Sequence, residues 1–226
     1  TAVNDDLTTH HAVSVKVLGN PPEPQPKGSF GAQYNDLVPE DASLASYDPE
    51  RFILLTGQVQ DAAGAPVPGA VVEILDHPEY GSVATDETGR FSIPAEGGGL
   101  LVLSYEKPDY LAAHRKVNTP VKDVVPVETV TLLTRDPAAT TLTFNGDPDT
   151  TLTHQSTETT DEFGTRSATM VFAGDTRAYE LDRYGNRVRE LTTITARATE
   201  YNTQQSMPAK LPPNSAYTYC TELEAE

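Results

Sequence analysis

From Phe52 onward, short apolar runs alternate with polar, turn-forming punctuation, and that rhythm predicts β-structure. The runs are FILLTGQVQ, AVVEILD, SVATD, RFSIP, LLVLSYE, YLAAHRKV and VVPVETVTLL. Between them stand DAAGAPVPGA, DETG, AEGGG and KPD, which are rich in residues that allow positive φ or fix it. Seven short strands at this spacing predict a small sandwich over 52–135. The texture continues beyond Arg135 with TTLTF, SATMVFAG, TRAYELD, VRELTTITARATEY and AYTYCTELE. In TTITARATEY, Ile194, Ala196 and Ala198 alternate with polar residues, the pattern of a half-buried strand. LDRYGNRVREL reads as a hairpin turning at Gly185-Asn186. The chain is therefore expected to be all-β: two antiparallel β-sandwich-like modules, 52–135 and 136–226, behind an extended N-terminal lead-in.

The lead-in, 1–51, holds one alternating strand at Ala12–Leu18 (AVSVKVL) and then PPEPQPKG at 21–28. Prolines this dense sustain neither a ladder nor a helix, so the segment reads as an extended linker. Residues 29–51 lack a period; Phe30, Tyr34, Leu37, Leu44 and Tyr47 read as anchors of a loop or short helical turn lying over the next module.

The 226 residues carry 16 Lys+Arg against 33 Asp+Glu, a net charge of −17. Phosphate backbones require a basic footprint, so no nucleic-acid partner is expected. No apolar run approaches the roughly 18–20 residues that span a bilayer, so no membrane insertion is expected. Cys220 is the one cysteine, which excludes an internal disulfide and leaves the redox compartment open. A chain that starts at Thr1 and stops in TELEAE reads as an excised piece of a longer polypeptide, its second module incomplete as given.

The stretch GQVQDAAGAPVPGAVVEI, followed by TDETGRFSI and LLVLSYEKPDYLAAHRKV, resembles the carboxypeptidase-regulatory-like family, which implies a transthyretin-like sandwich. Gly64, Pro66, Pro68 and Gly69 would build the first turn. Val71, Ile74 and Leu75 would start the next core strand, and Thr85-Asp86 with Gly89 would set a hairpin before Phe91 enters the core. A longer set of segments includes SFGAQYNDLVPEDA, DEFGTRSATMVF and SMPAKLPPNSAYTYCTEL. It resembles the region upstream of the repeats in large bacterial Rhs/YD-repeat proteins, which are teneurin-like. That resemblance implies a secreted or surface location and neighbouring modules of one large polypeptide as partners. The defining repeats are absent, apart from a lookalike in YELDRYGNRVREL that reads as an ordinary hairpin.

No constellation assembles an active site, and no catalytic, cofactor-binding or metal-ligating residue is assigned. His10 and His11 are adjacent, and on a strand they would face opposite ways. His77, His114 and His154 lack ligand spacing, and His77-Pro78 reads as a turn. Tyr105, Tyr110 and His114 could supply part of an intradiol-dioxygenase-like iron site, but no motif supports it. Asp86-Glu87, Asp147-Pro148-Asp149 and Glu158 to Glu162 offer oxygen ligands, which makes calcium the metal candidate, without a Ca-loop pattern. Ser206 and Cys220 lack a base, and Gly97-Gly98-Gly99 suits a turn better than a phosphate loop. FILLTGQVQ carries no Lys for an isopeptide crosslink, and Arg177, Arg183, Arg187 and Arg189 read as charges flanking a hairpin. The expected function is non-catalytic: structural or interaction modules. The alternative is an adhesion module whose loops, Asp76 to Ser82 and Glu96 to Gly99, contact a surface glycan or protein.

Overall fold

The computed structural model describes residues 20–161, 164–182, 184–210 and 220–225. The expected strand Ala12–Leu18, His10, His11, Glu162, Arg183 and most of the Pro-rich connection after Lys210 lie outside the described residues.

The first module contains β1 (Phe52–Gln60), β2 (Val71–Ile74), β3 (Ser82–Ala84), β4 (Arg90–Glu96), β5 (Gly99–Glu106), β6 (Ala113–Thr119), β7 (Asp123–Pro126) and β8 (Val130–Thr131). They form two sheets. One runs β4-β1-β7 with β8 also on β1, and the other runs β3-β2-β5-β6. Ile53, Leu55, Ile93, Val72, Leu103 and Tyr105 are fully or almost fully buried in one shared core. Two features differ from the expected antiparallel sandwich of seven strands. β7 and β8 pair with β1 in parallel. The run VVPVETVTLL also splits in two, because Ile53 faces Asp123 whereas Val59 faces Val130, one residue further along. That extra residue is a bulge beyond Pro126, and Val127 N–H still reaches Thr56 O at 2.7 Å.

The resemblance motif is a set of mutual contacts. Val59 N–H donates to Gly89 O, Gly69 N–H to Thr85 O, and Val67 N–H to Val59 O. Gly89 has φ +72°, and a Cβ there would stand 2.3 Å from Val59 O, so only glycine fits. Phe91 enters the core as expected. On β2 the core residues are Val72 and, as expected, Ile74; Val71 and Leu75 are exposed, because strand alternation turns them to the opposite face from Ile74.

The Pro-rich stretch is extended but packed. Glu23 N–H donates to Ala45 O, and the buried Gln25 donates its Nε2 to Tyr47 O at 3.0 Å. A 3-10 helix, Phe30–Leu37, follows. Phe30, Tyr34 and Tyr47 surround the Phe52 ring, with centroids 6.4, 6.2 and 5.3 Å away. Four successive residues, Phe52 to Leu55, are buried, so both faces of β1 are covered. Leu37, expected as an anchor, is instead exposed.

The second module contains β9 (Thr140–Thr143), β10 (Thr151–Gln155), β11 (Thr159–Asp161), β12 (Gly164–Arg166), β13 (Thr169–Ala173), β14 (Ala178–Leu181), β15 (Arg187–Leu191), β16 (Thr193–Tyr201) and β17 (Cys220–Ala225). The order β17-β16-β9 makes one sheet, and β10-β13, β11-β12 and β14-β15 are two-stranded. Ile194, Ala196 and Ala198 are buried, matching their alternation. Leu142, Ile194 and Ala196 meet Leu152, Met170 and Phe172 from the β10-β13 pair in a smaller core. The LDRYGNRVREL hairpin forms with Gly185 at φ +82°.

Candidate functional site: the junction between modules

β6 is the last strand of its sheet, so alternate backbone groups along it lack a partner strand. The segment after β16 meets this edge. His114 N–H donates to Pro208 O at 2.7 Å. Arg115 then reaches the same segment. Its Nη1 donates to Pro208 O at 3.2 Å and to His114 O at 2.8 Å, and its Nη2 to Gln205 O and Met207 O at 3.2 Å each. One guanidinium therefore ties four main-chain carbonyls together, a use suited to its planar fork of donors. Burial lowers its pKa from the ordinary value, although an arginine keeps its charge near neutrality regardless.

Apolar and polar contacts extend this clasp. Leu111 and Leu133 of the sandwich form a buried cluster with Tyr201 and Met207, and Cys220 packs against it. Arg135 Nε lies 3.0 Å from Glu224, and Asp136 N–H donates to Thr199 Oγ1 at 3.0 Å. Arg197 donates to Asp136 O, and Lys210 pairs with Glu128 at 2.8 Å. Glu222 accepts from Tyr201 OH at 3.2 Å. Burial is the main force that raises the Tyr201 phenol above its usual range, so it stays neutral. Beside the clasp lies a groove of about 370 Å³, walled by β6 on one side and by Pro126, Val127 and Glu128 on the other.

These contacts join the two modules, and the candidate chemical groups lie apart from them. Ser104 Oγ lies 3.4 Å from His114 Nε2, but Ser104 is 1% exposed and out of a substrate's reach. Tyr105 faces the core, whereas His114 belongs to the opposite phase of the ladder, so the two do not converge. His77 bonds Glu79 ahead of a 3-10 turn, Pro78–Tyr80, and His154 is buried with Nδ1 2.9 Å from Thr140 Oγ1. Among the described residues, no group of three or more His, Cys, Asp or Glu side chains comes together. Asp86 and Asp147 accept hydrogen bonds within their own turns. Ser206 Oγ donates to Thr203 O. Arg177 pairs with Glu190 through two 2.7 Å bonds, Arg187 lies 4.2 Å over the Tyr179 ring, and Arg189 pairs with Glu180.

The two loops that the adhesion alternative would use make hydrogen bonds to neighbouring parts of the fold. Gly97 O accepts from Arg51 at 2.9 and 3.0 Å, and Gly98 N–H donates to Pro120 O. Asp41 accepts from Ser82 N–H and Oγ, while Ser43 and Leu44 N–H both donate to Glu79 O. Arg115 is the residue that sequence reading passed over. Its signal was a charge in the same phase as Ala113, Val117 and Thr119, the core-facing side of β6.

Two packed sheets with this motif at their turn define the first module as a transthyretin-like β-sandwich. Residues 47–132 match the family model described as "Teneurin TTR-like domain". Mouse teneurin-1 is 31% identical over 101 residues, 45% of this chain and 4% of that protein. Zebrafish teneurin-3 is 37% identical over 67 residues, 30% of this chain and 2% of that protein. The chain thus spans a few per cent of the length of the relatives it matches. Among solved structures, a type II cohesin–X-dockerin complex from Acetivibrio cellulolyticus is 20% identical with a TM-score of 0.32, covering 38% of this chain and 60% of that one. The 3-chlorocatechol 1,2-dioxygenase from Rhodococcus opacus is 14% identical with a TM-score of 0.32, covering 39% and 62%. At such scores neither likeness bears on function. The match begins at Tyr47, five residues before the first strand, consistent with Tyr47 being a core residue.

Proposed function

We propose that the chain is a non-catalytic brace. In this reading a transthyretin-like sandwich and a β module lock together and space or cap neighbouring modules of a large secreted or cell-surface protein of the YD-repeat type. The observation that carries it is the match of 47–132 to the teneurin TTR-like domain. The junction supports it, because Arg115, Arg135 and the Leu111–Met207 cluster join the modules over several independent contacts. The partners are then other modules of the same polypeptide, and the brace needs no cofactor. A net charge of −17 suits a solvated exterior.

The test is protease shaving of intact source cells, followed by immunoblotting with an antibody against this segment. The expected band is far larger than 24.4 kDa and is cut by external protease. A band of that small size, or one cut only after lysis, would rule the reading out.

A further inference from the structure

The turn that leads from β9 to β10 carries the pair Asn145-Gly146. Gly146 has φ +76°, a conformation that residues with a Cβ rarely adopt, so the turn requires glycine there. That requirement has a chemical consequence. With no Cβ beside it, the Gly146 nitrogen can close on the side-chain carbonyl carbon of Asn145, an approach that a larger residue would crowd. Asn145 is exposed, so water reaches it.

The fold engages each group that this reaction uses. Gly146 N–H and Asn145 N–H both donate to Gly174 O, at 2.9 and 3.1 Å. Asn145 Nδ2 donates to Thr150 Oγ1 at 3.1 Å, and Asn145 Oδ1 accepts from Asp147 N–H at 3.0 Å. Gly174, just past β13, permits this close approach, because a Cβ there would stand 2.4 Å from Asn145 Oδ1. The bond from Asp147 polarises the amide carbonyl and favours attack. The restraint therefore rests on the nucleophile, whose proton is committed to Gly174 O, and on the leaving Nδ2, which Thr150 holds.

We propose that Asn145 is a deamidation site held unreacted by this turn, and that reaction there frees the β9–β10 connection from β13. When the turn opens, the Gly146 nitrogen loses its proton to water or hydroxide and bonds to Asn145 Cγ. The Cγ–Nδ2 bond breaks, and Nδ2 takes up a proton and leaves as ammonia. Water then opens the succinimide at either carbonyl, giving aspartate or isoaspartate at position 145; nothing is oxidised or reduced. Either product undoes the turn. The one proton of the Thr150 hydroxyl is already donated to Asp147 Oδ2 at 2.9 Å, so a carboxylate in place of the amide finds no donor there and faces Asp147 as a like charge. Isoaspartate lengthens the main chain by one carbon, which parts the two N–H groups that Gly174 O accepts. The Phe144 ring, next along the chain, packs 6.2 Å from Phe172 of β13, so the loss reaches the smaller core.

The test incubates the full chain in mildly alkaline buffer, folded and in parallel unfolded in urea. Conversion is followed by peptide mass mapping and by enzymatic methylation of isoaspartate. Asn118 and Asn202, each followed by a threonine, serve as internal references. In urea, Asn145 should convert ahead of both. In the folded chain its conversion should slow about tenfold or more, the factor set by opening of the turn. Thr150→Val, its fold checked by circular dichroism, should recover part of that factor, and converted chains should exchange the Gly146 and Gly174 amide hydrogens faster. The proposal is overturned by equal rates in the folded and unfolded chains, by reference asparagines that convert first in urea, or by unchanged exchange protection after conversion. The comparison of folded and unfolded states uses the unaltered chain, so it decides the matter even where Thr150→Val does not fold.

Discussion

Thr85 shows how one side chain joins two distant stretches. It is buried, its hydroxyl donates to Val67 O at 2.6 Å, and the same oxygen accepts from Ala70 N–H at 2.9 Å. Both partners lie in the turn that opens the motif, whereas Thr85 belongs to the hairpin that closes it. Thr85→Val keeps the shape and leaves a buried donor and acceptor unpaired. The chain is expected to lose about 1–3 kcal/mol, read as a lower urea midpoint at unchanged slope. The turn residues around Gly64, Gly69 and Gly89 were legible because positive φ limits the choice of residue. The cross-connection by Thr85 was not, because a threonine before a turn is locally unremarkable and its partners are 18 and 15 residues away. Arg115 was missed for a related reason. Its partners lie some 90 residues downstream, in a segment with no period of its own.

Individual elements depended on pattern to different degrees. β1 and β16 follow simple alternation or an unbroken apolar run, and both appear where the sequence placed them. The lead-in over 20–51 has no repeat, because its rings pack as separate anchors around Phe52 rather than along a face. Composition alone therefore read its Pro-rich part as a linker. The turn between β3 and β4 carries a pH dependence. Asp86 accepts from the Thr88 hydroxyl and from Thr88 and Arg90 N–H, and these bonds, led by the Thr88 hydroxyl, hold its pKa below the ordinary 3.8. A carboxyl depressed in the folded state binds more protons when unfolded, so its stabilisation is present above pH 3.8 and is lost as pH falls below it. The urea midpoint should therefore drop between pH 5 and pH 2.5. Asp86→Asn, which keeps an acceptor but removes the charge, should flatten that drop; an unchanged profile would show that the turn does not report it.

At the scale of the whole molecule, the junction decides whether the chain is two beads or one body. The contacts are of different kinds: the His114–Pro208 backbone bond with the Arg115 clasp over residues 205–208, a buried cluster about Leu111 and Tyr201, and the Arg135–Glu224 pair. Exposed charge pairs contribute little singly, so the apolar cluster and the Arg115 clasp carry most of the restraint. A brace must transmit orientation, and orientation is measurable. Residual dipolar couplings of backbone amides in 52–133 and in 140–201 should fit one alignment tensor in the full chain, and Arg115→Ala should begin to split it. Two tensors of different magnitude in the unmodified chain would mean that the modules tumble separately, and the brace would not exist.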